Sequence, residues 1–169
     1  ISKASAERIV EILEEKSDIC SPENAIMEVK DGSVIFRNVS FSYSDKKKKL
    51  CLSSIDLDIK SGETIGIIGG TGSSKTTLVQ LIPRLYDVTN GEVLVGGVNV
   101  KKYDLDTLRN SVAMVLQKNL LFSGTIKENL RCGNEKATDE ELIRACKLAQ
   151  ADDFINSFPD KYDTYIEQG

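Results

Sequence analysis

A glycine-rich stretch between two apolar segments holds the residues of this chain that are best suited to chemistry. Glycines let consecutive backbone N–H groups approach an anion, a lysine amine can reach the β- and γ-phosphates of a nucleotide, and a threonine hydroxyl can bind Mg²⁺. The spacing therefore predicts a phosphate-binding loop rather than an ordinary strand-to-helix turn. Its residues are Gly69, Gly70, Thr71, Gly72, Ser73 and Ser74, followed directly by Lys75, Thr76 and Thr77.

One residue of this loop departs from the strict pattern G-x-x-x-x-G-K-[ST], because Ser74 stands where that pattern has glycine. Glycine would allow a positive φ or a close approach of the backbone to the phosphate. A left-handed backbone costs a non-glycine residue about 1–2 kcal/mol, which corresponds to about ten-fold in binding. Ser74 could crowd the phosphate, or it could be tolerated and donate a hydrogen bond. Both alternatives stay open from the sequence.

The segments around the loop alternate between strand and helix patterns. "ETIGIIGG" (63–70) is apolar on both faces, which predicts a buried central strand, and "SVAMVLQ" (111–117) predicts another. Residues 75–85 predict a helix that Pro83 kinks or ends. Such alternation indicates an α/β fold with the loop at the carboxyl end of a strand.

The flanking segments predict an antiparallel β flank and a helical C-terminal part. "GSVIFRNVSFSYS", "SSIDLDIK" and "NGEVLVGGVNV" alternate apolar and polar residues as strands do, the last around a tight glycine turn. Residues 105–110 predict a short helix. Thr138 and Glu141 form a capping box before "ELIRACKLAQ", and Pro159 should end a further helix near Ser157. An N-terminal helix is predicted over "SAERIVEILEEK".

Two side chains at predicted strand ends are candidates for nucleotide contacts. Gln117 follows five apolar residues, so it could touch Mg²⁺ or an attacking water, or it could be a plain polar strand end. Tyr43 ends "NVSFSY"; its ring could stack on a purine, although the residue alone favours a place in the core.

Composition excludes several other function classes. The 169 residues carry a net charge of −4, which argues against a general nucleic-acid binder. The chain has four cysteines in no Cys-x-x-Cys pair and no histidine, so neither a zinc site nor a Ser-His or Cys-His nucleophile is expected. We expect free thiols in a reducing compartment. No apolar run approaches the roughly 20 residues of a membrane span, and the run Lys46–Lys49 is expected to be a solvated turn.

The ordered series of these segments resembles the nucleotide-binding domain of ATP-binding cassette (ABC) transporters. It is most similar to the exporter type, in which a membrane domain precedes the nucleotide-binding domain on the same chain. The similarity runs from about Val29 to Gly169 and corresponds to the N-terminal part of that domain. The segments are "VIFRNVSFSY", "SGETIGIIGGTGSSKTTLVQLIPRLYDVTNGEVLV", "LDTLRNSVAMVLQ", "LFSGTIKENL" and "YDTYIEQG".

The resemblance implies a role for each candidate residue. Tyr43 matches the A-loop aromatic that stacks on adenine, and Gly69 to Thr76 match the Walker A loop, with Thr77 beside the Mg²⁺ ligand Thr76. Gln117 matches the Q-loop glutamine near Mg²⁺, which couples the site to the membrane domain. Lys75 and Gln117 are thus the expected catalytic residues. Glu167 and Gly169 fall in the region that exporters use as the x-loop.

The resemblance also implies a fold and a division of the chain. The expected fold is a P-loop NTPase-like α/β core with an antiparallel β flank and the start of a helical subdomain, truncated. Residues 1–26 would be a linker helix and connector from a membrane domain, residues 27–118 the nucleotide-binding core, and residues 119–169 the first part of the helical subdomain, where "LFSGTIKENL" would face the coupling helices.

The function implied by the resemblance is an ATPase domain that couples ATP binding and hydrolysis to export. Its cofactors would be ATP and Mg²⁺. Its partners would be the transmembrane domain of the same transporter and a second nucleotide-binding domain. The domain would lie at the cytoplasmic face of the cell membrane. The signature motif, the Walker B strand, the D-loop and the switch histidine are not in these 169 residues. We therefore expect this fragment alone to be inactive in hydrolysis. A degenerate regulatory half-site of a heterodimeric exporter is the alternative; another P-loop enzyme would leave Tyr43 and Gln117 unexplained.

Overall fold

The structure is a computed structural model that describes residues 2–44 and 49–167. These residues form two compact units, Ile1–Ala113 and Met114–Gly169. Of the predicted turn Lys46–Lys49 only Lys49 is among the described residues, and Gly169 lies outside them. No described helix is long and apolar enough to cross a membrane.

The first unit is built on a four-stranded antiparallel sheet of order β2-β1-β3-β4. The predicted antiparallel flank is thereby confirmed, including the glycine turn Gly96-Gly97, where both residues have positive φ. The helices are α1 (Ser2–Glu14), α2 (Lys75–Gln80) and α3 (Leu105–Asn110). The strands are β1 (Val34–Phe41), β2 (Leu52–Ile59), β3 (Asn90–Val95) and β4 (Val98–Asn99).

A β-bulge in β1 explains why the apolar pattern of this strand falls into two short runs. The register on both sides of β1 shifts after Arg37, and Asn38 has a φ of 46°. The backbone N–H of Asn38 donates to Asp56 Oδ1 at 2.8 Å instead of to a ladder carbonyl. The bulge changes the phase of the strand, so Phe36 and Val39 are both buried although they are three positions apart.

The core of the first unit lies between this sheet and the segments that follow α2 and β4. Tyr103 is fully buried, its hydroxyl donates to the carbonyl of Val95 at 2.7 Å, and burial raises the pKa of its phenol. A large polar tip inside a core needs such a partner. The other largest fully buried side chains of this core are Phe36, Val39, Leu81, Val93 and Leu108.

The predictions of a central strand over residues 63–70 and over residues 111–117 are both wrong. Residues 63–70 and 111–117 have no strand assignment, and Ile68 and Val115 are 100% and 90% exposed. A strand of a parallel sheet forms only when neighbouring strands receive its ladder hydrogen bonds. Neither segment has such a neighbour among the residues described. The predicted helix over 75–85 is also shorter, because α2 ends at Gln80, ahead of Pro83.

The second unit is a small helical cluster closed by a two-stranded ribbon. Its helices are α4 (Ile126–Arg131), α5 (Asp139–Leu148) and α6 (Asp152–Asn156), and β5 (Gly124–Thr125) pairs with β6 (Tyr165–Ile166). The predicted capping box at Thr138 and Glu141 is confirmed, and α6 ends beside Ser157, ahead of Pro159, as predicted. Its core consists of Ile126, Cys146, Ile155 and Tyr162.

The segment that links α1 to the sheet is fastened to the first unit over residues 20–26, which we call the connector. Its hydrogen bonds run to the turn after α2 and to the start of α3. Arg84 donates to the Cys20 carbonyl at 3.2 Å, Ser21 Oγ donates to Asp104 at 3.0 Å and accepts from the Leu105 N–H at 2.9 Å, and Ile26 exchanges backbone hydrogen bonds with Lys102 and Asp104.

Candidate functional site

The glycine-rich loop has the alternating backbone geometry of an anion-binding turn. Gly72 has a φ of 82° and Ser74 a φ of 61°, while Ser73 between them is not in the positive-φ region. Alternation of this kind turns successive N–H groups toward one side, and such a concavity binds phosphate. The position where the pattern asks for glycine is therefore left-handed in this chain, with a serine in it.

A close approach within the loop requires glycine at position 69. A Cβ at Gly69 would lie 2.6 Å from Ser73 Oγ and 3.3 Å from its Cβ. Gly70 and Gly72 have no atom within 4 Å of the place where a Cβ would stand. The first glycine therefore lets the loop close on itself, and the other two leave open space beside it.

Lys75 folds back over the loop that precedes it. Its amine donates to the carbonyls of Gly69 at 2.7 Å and Gly70 at 2.9 Å, and to Ser73 Oγ at 3.3 Å. The positive charge thus lies against the loop that would receive a phosphate. Charge-assisted donors of this kind bind phosphate oxygens strongly, so the position of this amine suits phosphate binding.

Tyr43 and the phosphate loop meet through a side-chain hydrogen bond. The Tyr43 hydroxyl lies 2.9 Å from Thr77 Oγ1, and Thr77 is buried on α2 with 7% of its surface exposed. The Tyr43 ring packs edge-on against Phe41 and Tyr86, with centroids 4.8 and 5.1 Å away. The ring nevertheless stays 54% exposed, so it is half in the aromatic cluster and half open.

Thr76 is the loop residue expected at Mg²⁺, and its side chain is exposed. No group of three or more Cys, Asp or Glu side chains in the described part of the chain could hold a metal ion. Mg²⁺ keeps several waters and takes phosphate oxygens readily. One hydroxyl therefore fits a magnesium ion that arrives with the nucleotide.

Gln117 lies in the second unit, in an exposed stretch that has no regular secondary structure. The structure thus brings Tyr43 and the loop residues 69–77 together in the first unit. Gln117 belongs to the other unit.

The sequence analysis did not predict an ion pair between a buried arginine and a half-buried aspartate in the turn after α2. Arg84 is 6% exposed and forms a bidentate pair with Asp87, Nε to Oδ1 at 2.8 Å and Nη2 to Oδ2 at 3.2 Å. Burial alone would raise the pKa of Asp87, but the hydrogen bonds and charge of Arg84, with Lys101, hold that pKa below its ordinary value. The spacing of three residues in "RLYD" was the signal available, and surface pairs show the same spacing.

The sequence analysis also did not predict that Tyr86 lies beside Tyr43. Its ring contacts both Phe41 and Tyr43 at centroid distances of 5.6 and 5.1 Å. Nothing in its spacing from Tyr43 predicts that contact, because the two residues meet only through the pairing of β1 with β3 and the turn after α2.

This geometry defines a P-loop nucleotide-binding domain, and comparison with known proteins gives its family. A family model described as ABC transporter matches residues 52–167. A multidrug export ATP-binding/permease protein of Staphylococcus aureus (strain NCTC 8325 / PS 47) is 43% identical over 159 residues, which cover 94% of this chain and 27% of that protein. Protein YgaD of Bacillus subtilis (strain 168), with the same description, is 45% identical over 166 residues, which cover 98% of this chain and 28% of YgaD.

The structural comparison agrees. A bacterial Atm1-family ABC exporter with ATP bound matches with a TM-score of 0.87 at 27% identity, over 96% of this chain and 29% of that chain. The chain belongs to the ABC transporter family, as an ATP-binding domain like that of multidrug exporters. The α/β fold expected from the resemblance is confirmed. The chain spans about a quarter of the length of the curated relatives, 27% and 28%.

Proposed function

We propose that this chain binds Mg²⁺–ATP in the first unit and that the longer transporter uses this site to hydrolyse ATP and drive export. The observation that carries the proposal is the loop itself, left-handed at Gly72 and Ser74 with the Lys75 amine lying on it. Membership of the ABC transporter family supports ATP as the nucleotide.

The proposed roles are those that the family resemblance gives to each side chain. Lys75 pairs with the β- and γ-phosphates, the loop 69–74 donates backbone N–H groups, and Thr76 holds Mg²⁺. Tyr43 stacks on adenine with its open ring. Gln117 acts at Mg²⁺ and relays the state of the site to the membrane domain. Bound Mg²⁺ would supply charge neutralisation of the phosphates.

The proposed partners follow from the family. One is the transmembrane domain of the same transporter, and the other is a second nucleotide-binding domain, identical or different. The domain would then lie at the cytoplasmic face of a membrane, with residues 1–26 as linker and connector, residues 27–118 as the core and residues 119–169 as the start of the helical subdomain. The relatives' description as ATP-binding/permease proteins supports a membrane part on the same chain.

Ser74→Gly is expected to change the affinity for Mg²⁺–ATP by less than about three-fold. Ser74 has a φ of 61° in the folded loop, so the cost of the left-handed geometry belongs to folding rather than to binding. Calorimetric titration of the chain and of this variant measures the effect. Lys75→Met, which removes the phosphate-facing charge, is the control and should weaken binding by more than ten-fold.

The outcomes of this titration separate the proposals. Tight binding by Ser74→Gly and none by the natural chain would favour the regulatory half-site. Equal binding by the natural chain and Lys75→Met would contradict the assignment of the loop.

We further propose that these 169 residues bind ATP without turning it over. Hydrolysis needs a carboxylate that holds the metal and a group that positions the attacking water. The loop region 69–77 contains no carboxylate, and the sequence has no histidine. A coupled phosphate-release assay with excess ATP is expected to show no turnover above the Lys75→Met background; multiple turnovers would contradict the proposal.

A further inference from the structure

We propose that Thr77 is a positioning residue for base recognition, because its hydroxyl holds the Tyr43 ring at a fixed place beside the phosphate loop. The inference rests on the proposed ATP site and concerns how that site distinguishes a nucleotide from a bare polyphosphate. It assigns to Thr77 a task other than binding phosphate or metal.

The hydrogen bond joins the hydroxyl of the buried Thr77 to the hydroxyl of the exposed Tyr43. Thr77 is 7% exposed and lies in the first turns of α2, where the Leu78 N–H donates to the Ser74 carbonyl at 3.0 Å. Tyr43 lies beyond the end of β1 and is 54% exposed. The 2.9 Å contact between their hydroxyl oxygens therefore joins the exposed side chain to the buried one.

Two aromatic neighbours restrict the remaining freedom of the Tyr43 ring. Phe41 and Tyr86 meet it at interplanar angles of 82° and 90°, so neither covers it by parallel stacking. Edge contacts of this kind are favourable and directional. With the hydroxyl held by Thr77, the ring keeps one orientation and still has open surface for a base.

This arrangement joins the base-binding ring to the helix that directly follows the phosphate loop. Thr77 directly follows Thr76 and Lys75 in α2, so the position of the ring is set relative to the loop through a single helix. A ligand with a base at the right distance from its phosphates gains from a ring that is already ordered, since preorganisation lowers the entropic cost of binding. A ligand without a base gains nothing.

The test compares Mg²⁺–ATP with Mg²⁺–tripolyphosphate by calorimetry on the whole chain. Tyr43→Phe removes only the hydroxyl and is expected to weaken ATP binding by about three- to ten-fold, the range for one lost hydrogen bond. Tripolyphosphate binding should stay within two-fold. Thr77→Ser, which keeps the hydroxyl, should lose less affinity for ATP than Tyr43→Phe does.

A double-mutant cycle distinguishes the hydrogen bond between Tyr43 and Thr77 from any direct contact of Thr77 with phosphate. Thr77→Val combined with Tyr43→Phe should bind ATP about as well as Thr77→Val alone, because both changes break the same 2.9 Å bond and the other contact of the Tyr43 hydroxyl, to Gln80 Oε1, is 3.5 Å long. Tyr165→Phe, at an exposed tyrosine of the second unit, is the matched control and should change neither ligand. Far-UV circular dichroism checks that each variant folds. If Thr77→Val does not fold, the ATP affinities of Tyr43→Phe and Thr77→Ser still test the proposal.

The failures of the two proposals differ. Unchanged ATP affinity in Tyr43→Phe, equal losses for ATP and tripolyphosphate, or additive losses in the cycle would overturn the role of Thr77 and leave the ATP site standing. Failure of the natural chain to bind either ligand would overturn the proposed function and this inference with it.

Discussion

Gly91→Ala is expected to destabilise the first unit by on the order of 3 kcal/mol. Gly91 lies in β3 opposite the bulge of β1 and has a φ of 79°. An added Cβ would stand 2.3 Å from the carbonyl oxygens of both Arg37 and Asn38, which are backbone atoms and cannot rotate away. Urea denaturation followed by circular dichroism measures the loss as a lower midpoint.

Gly97→Ala separates the clash from the cost of positive φ. Gly97 has a φ of 75°, close to that of Gly91, but nothing lies within 4 Å of its added Cβ. Only the backbone term remains, so about 1 kcal/mol is expected. Equal losses in the two variants would show that the bulge moves aside and that its close approach to Gly91 is unimportant.

Arg84→Met is expected to cost about 2–3 kcal/mol of stability, because it leaves Asp87 partly buried without its partner. The Asp87 side chain is 32% exposed, so water compensates part of the loss and keeps it below that of a fully buried charge. The substitution also removes the donor to the Cys20 carbonyl. The φ of 51° at Arg84 is unfavourable for both residues, so it cancels from the difference.

Arg37→Met is the matched control for that experiment. Arg37 pairs with Glu92 at 3.1 Å, but the two side chains are 59% and 37% exposed. Exposed pairs contribute little, and less than about 1 kcal/mol is expected. Similar losses for Arg84→Met and Arg37→Met would contradict the importance assigned to burial.

The pH dependence gives the Arg84 result a second readout. The folded pKa of Asp87 lies below its ordinary 3.8, so the contribution of the pair is fully present above that value. It is lost as the pH falls through the folded pKa. The difference between the natural chain and Arg84→Met should therefore shrink in strongly acidic solution.

The sequence predicted the parts of the fold whose causes are local. The alternation in β2 leaves Leu57 half-buried and Asp56 and Asp58 exposed, and the capping box of α5 needs only Thr138 and Glu141. The break between the two apolar runs of β1 falls at the bulge, although the pattern alone did not predict a bulge there. These features depend on neighbours that are close in the chain or on one shared face.

The features that the sequence did not predict depend on distant partners. An apolar run such as 63–70 becomes a strand only when other strands flank it, and its own residues do not say whether they do. The bond between Tyr43 and Thr77 joins residues 34 positions apart, and no spacing rule relates them. For Ser74 the sequence defined the question, a left-handed serine, and the φ of 61° answers it for the backbone.

The way the connector is fastened has a mechanical consequence. A loop with slack straightens when it is pulled and passes on little force. Residues 20–26 are instead bonded near both ends, through Cys20 and Ser21 at one and Ile26 at the other. A load applied from the side of α1 therefore reaches Arg84 with little extension of the connector. Arg84 lies four residues after the end of α2, the helix that follows the phosphate loop. The same stiffness would carry a displacement of the loop outward along the chain.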